Sequence, residues 1–236
     1  MSDPLITAQR LNALGQPVGL PLADTSPRQV PPRTAMVGRY CSVVPLSLDH
    51  ADELYTAFRA DEEDRIWTYL PNGPYHNPAE FQAWVDAAIA QDDPLMHAII
   101  IDGKAVGHAS YLRITPASAS IEVGFINLSP TLQRTSAATE FQFLMMRRAF
   151  DELGYRRYEW KCDALNAPSR KAAERLGFTH EGTFRQATHY KGRNRDTAWF
   201  SIIDSEWPGL KQRFERWLAP ENFDDTGTQK RGLSAV

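Results

Sequence analysis

The chain is 236 residues long, with 29 Asp and Glu against 26 Lys and Arg, a formal net charge of −3. Apolar residues make up 42% and charged residues 23%, beside 14 Gly and 16 Pro; such proportions exclude a collagen-like, disulfide-scaffold or bulk-disordered chain. The length allows one large domain or two small ones, and the balanced charge lacks the basic excess of a nucleic-acid binder. Two cysteines, Cys41 and Cys162, cannot build a framework and show no metal-ligand spacing; the six histidines include no i, i+4 pair, so no metal is expected. The start, Met1-Ser-Asp-Pro-Leu, has no basic-then-apolar leader, and no apolar stretch approaches the roughly 20 residues of a membrane span. The expectation is a cytoplasmic protein with neither membrane nor nucleic acid as partner.

Six of the 16 prolines precede residue 33, and no apolar period accompanies them, so residues 1–37 read as an extended arm. Residues 38–218 carry the alternating signals of one domain, and 219–236 read as a polar, frayed tail. Tyr40 to Leu46 has strand character; Asp49 then caps a helix to about Ala60, with Leu54, Tyr55 and Phe58 on one face. Residues 79–91 form a second helix. The apolar runs 98–101 and 106–114 are joined by Asp102-Gly103, a hairpin turn. Ile121, Val123 and Phe125 alternate with Ser120, Glu122 and Gly124 in a strand, and a helix follows from about Thr139 to Leu153. Arg157 to Asp163 is the clearest strand. A short helix after Pro168 stops at Gly177, with Phe178 packing back on Ala173. Residues 181–186 and 198–204 read as a hairpin, and a helix over 208–218 ends the domain. The order β-α-α-β-β-β-α-β-α-β-β makes an α/β (α+β) mixed sheet with helices on both faces.

Two strand-to-helix turns could carry chemistry. In Leu128-Ser-Pro-Thr-Leu-Gln-Arg-Thr-Ser-Ala-Ala-Thr139, small residues open a helix whose N–H groups and dipole favour an anion; a tight connection with a Ser/Thr cap fits equally well. In Asn166-Ala-Pro-Ser169, Asn and Ser read in isolation as helix caps. Two such turns after neighbouring strands would both face the crevice at the strand ends, which raises the functional reading of each.

In this order and spacing the motifs resemble the GNAT N-acetyltransferase superfamily, and within it the ribosomal-protein N-terminal acetyltransferase (RimJ/RimL-like) branch, over about residues 38–207. The family binds acetyl-CoA pyrophosphate with Gln/Arg-x-x-Gly-x-Gly/Ala, and Gln133, Arg134, Thr135, Ser136, Ala137 and Ala138 stand at that place. Ser136 replaces the usual first glycine. Asn166 and Ser169, with Gly177-Phe178, match the family's Asn-x-x-Ser helix and its end. Glu122-Val-Gly-Phe125 resembles the strand that splays to admit the pantetheine arm, so the resemblance places Phe125 and Ile126 against the cofactor. Alignment on Gly177-Phe178 puts Ala173 where many members have a Tyr acid, which leaves Ser169 as the nearest motif hydroxyl for the departing thiolate.

The resemblance implies a GNAT fold with splayed central strands. It also implies transfer of acetyl from acetyl-CoA to a primary amine by direct attack, with the oxyanion held by backbone N–H on the splayed strand and no metal. Glu122 is either the base that takes the amine proton or the salt-bridge partner of an arginine. Trp67, Tyr69 and Tyr75 could wall an acceptor cleft or simply fill core. Arg185, with Lys191, Arg193 and Arg195, could form a rim for an acidic acceptor or a solvated hairpin connection. The acceptor is a protein N-terminus or a small-molecule amine such as an antibiotic or polyamine. A silent acyl-CoA-binding module is the reading from another class, and monomer and homodimer both stay open.

Overall fold

The computed structural model describes residues 9–235. After a short hairpin of β1 (Gln9–Leu11) and β2 (Pro17–Gly19), the chain builds one eight-stranded sheet. Its elements in order are β3 (Met36–Val37), β4 (Ser42–Pro45), α1 (Ala51–Arg59), α2 (Pro78–Ile89), β5 (Leu95–Ile101), β6 (Lys104–Thr115), β7 (Ser120–Leu128), α3 (Ser136–Arg147), β8 (Arg157–Asp163), α4 (Ala167–Leu176), β9 (Thr179–Tyr190), β10 (Arg193–Ile203) and α5 (Trp207–Leu218). The spatial order is β3-β4-β5-β6-β7-β8-β10-β9, antiparallel throughout except where β8 lies parallel to β7. That single parallel pair is the one that needs a crossover, and α3 supplies it.

The periodicities expected from the sequence decide the layers. One face of the sheet carries Tyr111, Ile121, Val123, Tyr158, Phe200 and Ile202, packed on Phe141, Leu144 and Met145 of α3 and Phe214 of α5. Leu54, Phe58, Phe81 and Val85 of α1 and α2 form a second cluster with Met96, Ala98 and Ala105. Asp102 and Gly103 both take positive φ (49° and 76°), as the tight hairpin requires, and Gly177 (φ 98°) ends α4 in the left-handed conformation.

Four expectations are corrected. Asp49 does not cap α1: Ser47 leads a 3₁₀ turn over Leu48–His50, its N–H donating to His50 Nδ1 at 3.1 Å, and α1 starts at Ala51. The expected hairpin connection over 184–196 is mostly strand, because Lys191-Gly192 (φ 48° and 69°) makes a tight turn that lets β9 and β10 run on. The expected unpacked arm is partly outside the described residues, but from Arg28 onward it is bound. Arg28 N–H donates to Pro116 O at 3.0 Å, the Tyr155 hydroxyl to Gln29 O at 3.1 Å, and Met36 is 3% exposed in β3. The expected frayed tail also packs: Phe223 lies edge-on to Trp217, Asn222 bonds the carbonyls of Trp217 and Arg231, and Leu233 is buried. In both terminal segments isolated apolar side chains and backbone acceptors do the packing, with no period for a sequence pattern to reveal.

Candidate functional site: a parted strand pair between two helix N-termini

β7 and β8 pair only from Ser120↔Arg157 to Val123↔Trp160, and beyond that point they part. The cause lies in β7. Ser110 of β6 stands opposite Gly124 but His108 opposite Asn127, so Phe125 and Ile126 together face one residue of β6, and Phe125 takes φ 47°. The Ser110 hydroxyl donates to Gly124 O at 3.1 Å, and His108 Nδ1 lies 2.8 Å from Phe125 O. Two consecutive carbonyls thus turn toward β6. In a planar trans peptide the N–H opposes the C=O, so the N–H groups of Phe125 and Ile126 both turn away from β6, toward the gap. Successive N–H groups converging in this way form a small anion-favouring nest.

The loop after β7 leads to the first helix N-terminus. Leu132 is fully buried against Gly107, where a Cβ would stand 2.7 Å from the leucine Cδ2. Gln133 Nε2 donates back to Leu128 O at 2.9 Å, so this side chain shapes the loop. Arg134 has φ 64°. Thr135 caps α3, its Oγ1 accepting the Ala138 N–H at 3.2 Å. A helix leaves its first N–H groups without intrahelical partners, and this cap accounts for that of Ala138 but not those of Ser136 and Ala137. The second N-terminus follows β8. Asn166 Oδ1 accepts the Ser169 N–H at 3.1 Å, and Ser169 Oγ accepts the Trp160 indole N–H at 3.0 Å. Asp163 is locked beside them by the Leu165 N–H and the Tyr190 hydroxyl, each at 2.8 Å.

Residues 67–69 tie the α1–α2 connection to the loop after β8 and to the β9–β10 turn. The Tyr69 hydroxyl reaches Leu165 O at 3.3 Å, Lys191 Nζ reaches Trp67 O at 2.7 Å, and Arg193 reaches Thr68 O at 2.9 Å. Two expectations about the acceptor side change here. Trp67 is 3% exposed, edge-on to Phe58 and Tyr75, so it belongs to the core and contributes only its backbone carbonyl. Arg185 stands exposed on the outer strand β9, and among the described residues no hydrogen bond or ion pair joins it to Trp67, Thr68 or Tyr69; Lys191 and Arg193 make those links instead.

Glu122 is 3% exposed. Arg113 donates to its Oε1 at 2.7 Å, and Lys161 Nζ stands 2.9 Å from Oε2 as an ion pair without the alignment of a hydrogen bond. Burial raises its pKa, and the two cations work against that rise. Lys161 also pairs with Glu159 at 2.7 Å and lies 3.7 Å from the Trp199 ring centroid. Of the two roles expected for Glu122, the salt-bridge one is seen in the geometry: its carboxylate is buried between Arg113 and Lys161. The sequence reading missed His108 and Ser110, since a histidine and a serine inside an apolar strand give no pattern until the bulge beside them is seen.

The end of the parallel pairing thus lies between two capped helix N-termini, whose free N–H groups and dipoles favour an anion. The family model for the GNAT acetyltransferase domain matches residues 42–179. The fold superposes on a GCN5-related N-acetyltransferase from Brucella melitensis with a TM-score of 0.88, 50% identity, and coverage of 90% of this chain and 98% of that one. A Chromobacterium violaceum structure described as belonging to the GNAT family aligns with a TM-score of 0.76 and 40% identity, covering 82% and 98% of the two chains. YdaF of Bacillus subtilis (strain 168), provisionally named a ribosomal N-acetyltransferase, is 26% identical over 113 residues, 48% of this chain and 61% of YdaF. The chain belongs to the GNAT acetyltransferase family, the acyl-CoA-dependent N-acetyltransferases. Among the described residues no helix is long and apolar enough to cross a membrane.

Proposed function

We propose that the protein transfers acetyl from acetyl-CoA to the N-terminal amine of a protein, with the cofactor lying between β7 and β8. The observation that carries this reading is the bulge where the strands part, at which Ser110 and His108 bond the Gly124 and Phe125 carbonyls; peptide planarity then directs the Phe125 and Ile126 N–H groups toward the gap. A pantetheine arm is a chain of amides, and the unpaired edge of β7 offers it the hydrogen bonds of an added strand. The diphosphate then meets the N–H groups of Ser136 and Ala137 at the positive end of α3, with Arg134 beside it. Asn166 and Ser169 flank the opposite wall. The thioester oxygen sits at the Phe125 and Ile126 N–H groups, which stabilise the charge that develops when the amine attacks. The amine proton leaves to solvent, and Ser169, the hydroxyl that opens α4, would give a proton to the departing thiolate.

The likeness to YdaF, named for a ribosomal acceptor, favours a protein amine over a small-molecule one. Two buried, unpaired cysteines agree with a cytoplasmic setting. Acetyl-CoA turnover against a panel of N-terminal peptides, polyamines and aminoglycosides tests the reading. Turnover confined to peptides is expected; turnover confined to a small amine would change the acceptor, and binding of acetyl-CoA with no transfer to any of the panel would leave an acyl-CoA-binding module.

A further inference from the structure

We infer that His108 and Ser110, neither of which touches the proposed ligand, are positioning residues that hold the β7 bulge in the orientation that aims the Phe125 and Ile126 N–H groups at the acetyl carbonyl. This inference rests on the acetyl-CoA cleft proposed above. Both side chains are fully buried, both come from β6, and they bond successive carbonyls of one bulge at 2.8 Å and 3.1 Å. A carbonyl can only accept, so His108 must carry its proton on Nδ1. Its Nε2 is then an unprotonated, buried atom without a partner. The ring is wedged edge-on against Phe58 (5.4 Å) and tilted against Trp84 (5.0 Å), which fixes where Nδ1 points. Burial holds the imidazole neutral, with a pKa lowered to about 4, and the Phe125 carbonyl selects its Nδ1–H tautomer.

The backbone these bonds hold is an unfavourable one. Phe125 is bulky and sits at φ 47°, a region that L side chains seldom adopt. Without an anchor on Phe125 O, the 125–126 peptide plane is free to turn over. That rotation would aim a carbonyl oxygen into the gap where an N–H is needed, replacing attraction for the thioester oxygen by repulsion. Aromatic packing alone would be served by any flat side chain at position 108; only a donor at the Nδ1 position holds the carbonyl.

The test is the carbonyl signal of bound [1-¹³C]acetyl-CoA, read by NMR beside calorimetric binding of CoA, which lacks the acetyl group. In the wild type the bound carbonyl should be displaced downfield of the free thioester by the two N–H groups. His108→Phe and Ser110→Ala should each lose most of that displacement while CoA affinity stays within about twofold of wild type. His108→Asn, whose amide can donate from the Nδ1 position, should keep it. Wild-type displacement in both His108→Phe and Ser110→Ala would overturn the inference, as would a His108→Asn variant as defective as His108→Phe. If His108→Phe does not fold, Ser110→Ala decides alone. A wild type with no displacement also overturns it; if, in addition, CoA binding were indifferent to Asn166→Asp, the proposed cleft itself would fall.

Discussion

The indole N–H of Trp160 donates to the hydroxyl oxygen of Ser169 at 3.0 Å, across the start of α4. That bond takes a lone pair of the oxygen, while the hydroxyl's own proton, which also reaches the Cys162 thiol, is the one a departing thiolate would draw. Ser169→Ala should therefore act twice. It strands a buried indole N–H, at a cost of about 1–3 kcal/mol in thermal or urea unfolding. It should also lower kcat by about 10–10²-fold at pH 7, measured by release of free thiol. The deficit should narrow toward pH 9, because a thiolate with a pKa of roughly 8.5 then leaves with less help. Unchanged kcat at pH 7 would remove Ser169 from the proton transfer.

Asn166 offers a cleaner separation of scaffold from site. Its Oδ1 accepts the Ser169 N–H, while its amide N–H₂ is the group free to meet a ligand. Asn166→Ala should lose a cap, costing about 1 kcal/mol of stability. Asn166→Asp keeps an acceptor for the cap but sets a carboxylate against an anionic cofactor. Its stability should stay near wild type while CoA affinity drops by about tenfold or more in calorimetry. Equal CoA affinity in Asn166→Asp would make Asn166 a cap and nothing else.

Glu122 tests the reading of a buried charge. With Glu159 still paired to Lys161 after substitution, Glu122→Gln should cost about 1–3 kcal/mol, less than stripping a buried cation of all partners. On the geometry described, kcat should fall by less than about tenfold across pH 6 to 9. A loss of about 10²-fold or more in a protein of undiminished stability would instead make Glu122 the base that takes the amine proton.

Truncation should find a sharp boundary inside the N-terminal segment. Removing residues 1–27 takes away the β1–β2 hairpin, which as an isolated two-stranded pair adds little stability. The shortened protein should remain soluble and bind CoA. Removing residues 1–37 also takes β3 and the carbonyls of Thr34 and Ala35, to which the buried Arg148 donates at 2.6 Å and 3.1 Å. An orphaned guanidinium and an exposed sheet edge should leave little soluble protein. Full solubility of the longer truncation, judged by gel filtration, would mean that these contacts are dispensable.

Acid should weaken the fold through its buried histidines. His97 and His108 are each lowered from 6.5 to about 4, chiefly by burial. Between those values the unfolded chain binds protons that the native one does not, so stability falls as pH drops from 6.5 toward 4. The slope approaches about 1.4 kcal/mol per pH unit for each group. Urea midpoints measured over this range should show it, and His108→Asn should flatten the slope by about half. An unchanged slope in that variant would assign the acid sensitivity elsewhere.

Local rules made much of this protein legible from its sequence. The alternation around Tyr158, Trp160 and Cys162, the Asp102-Gly103 turn and the stop at Gly177 each depend on residues within a few positions of one another, so the order of elements from β4 onward follows from the chain alone, while β1, β2 and β3 in the proline-rich segment do not. The cap at Asn166 was legible for the same reason, because a cap and the N–H groups it leaves free are neighbours in sequence; α3, expected from about Thr139, starts one turn earlier at Ser136 under its Thr135 cap. Tertiary structure decided what depends on distant partners. Trp67 reads equally as cleft wall or core until Phe58 and Tyr75 close around it, and Glu122 as base or salt-bridge partner until Arg113 and Lys161 stand at its oxygens. The polar termini pack because single residues such as Met36 and Leu233 find places in a core built by the rest of the chain. The bulge at Phe125 is held by side chains from another strand, and such a pairing becomes a bond only once β6 lies beside β7.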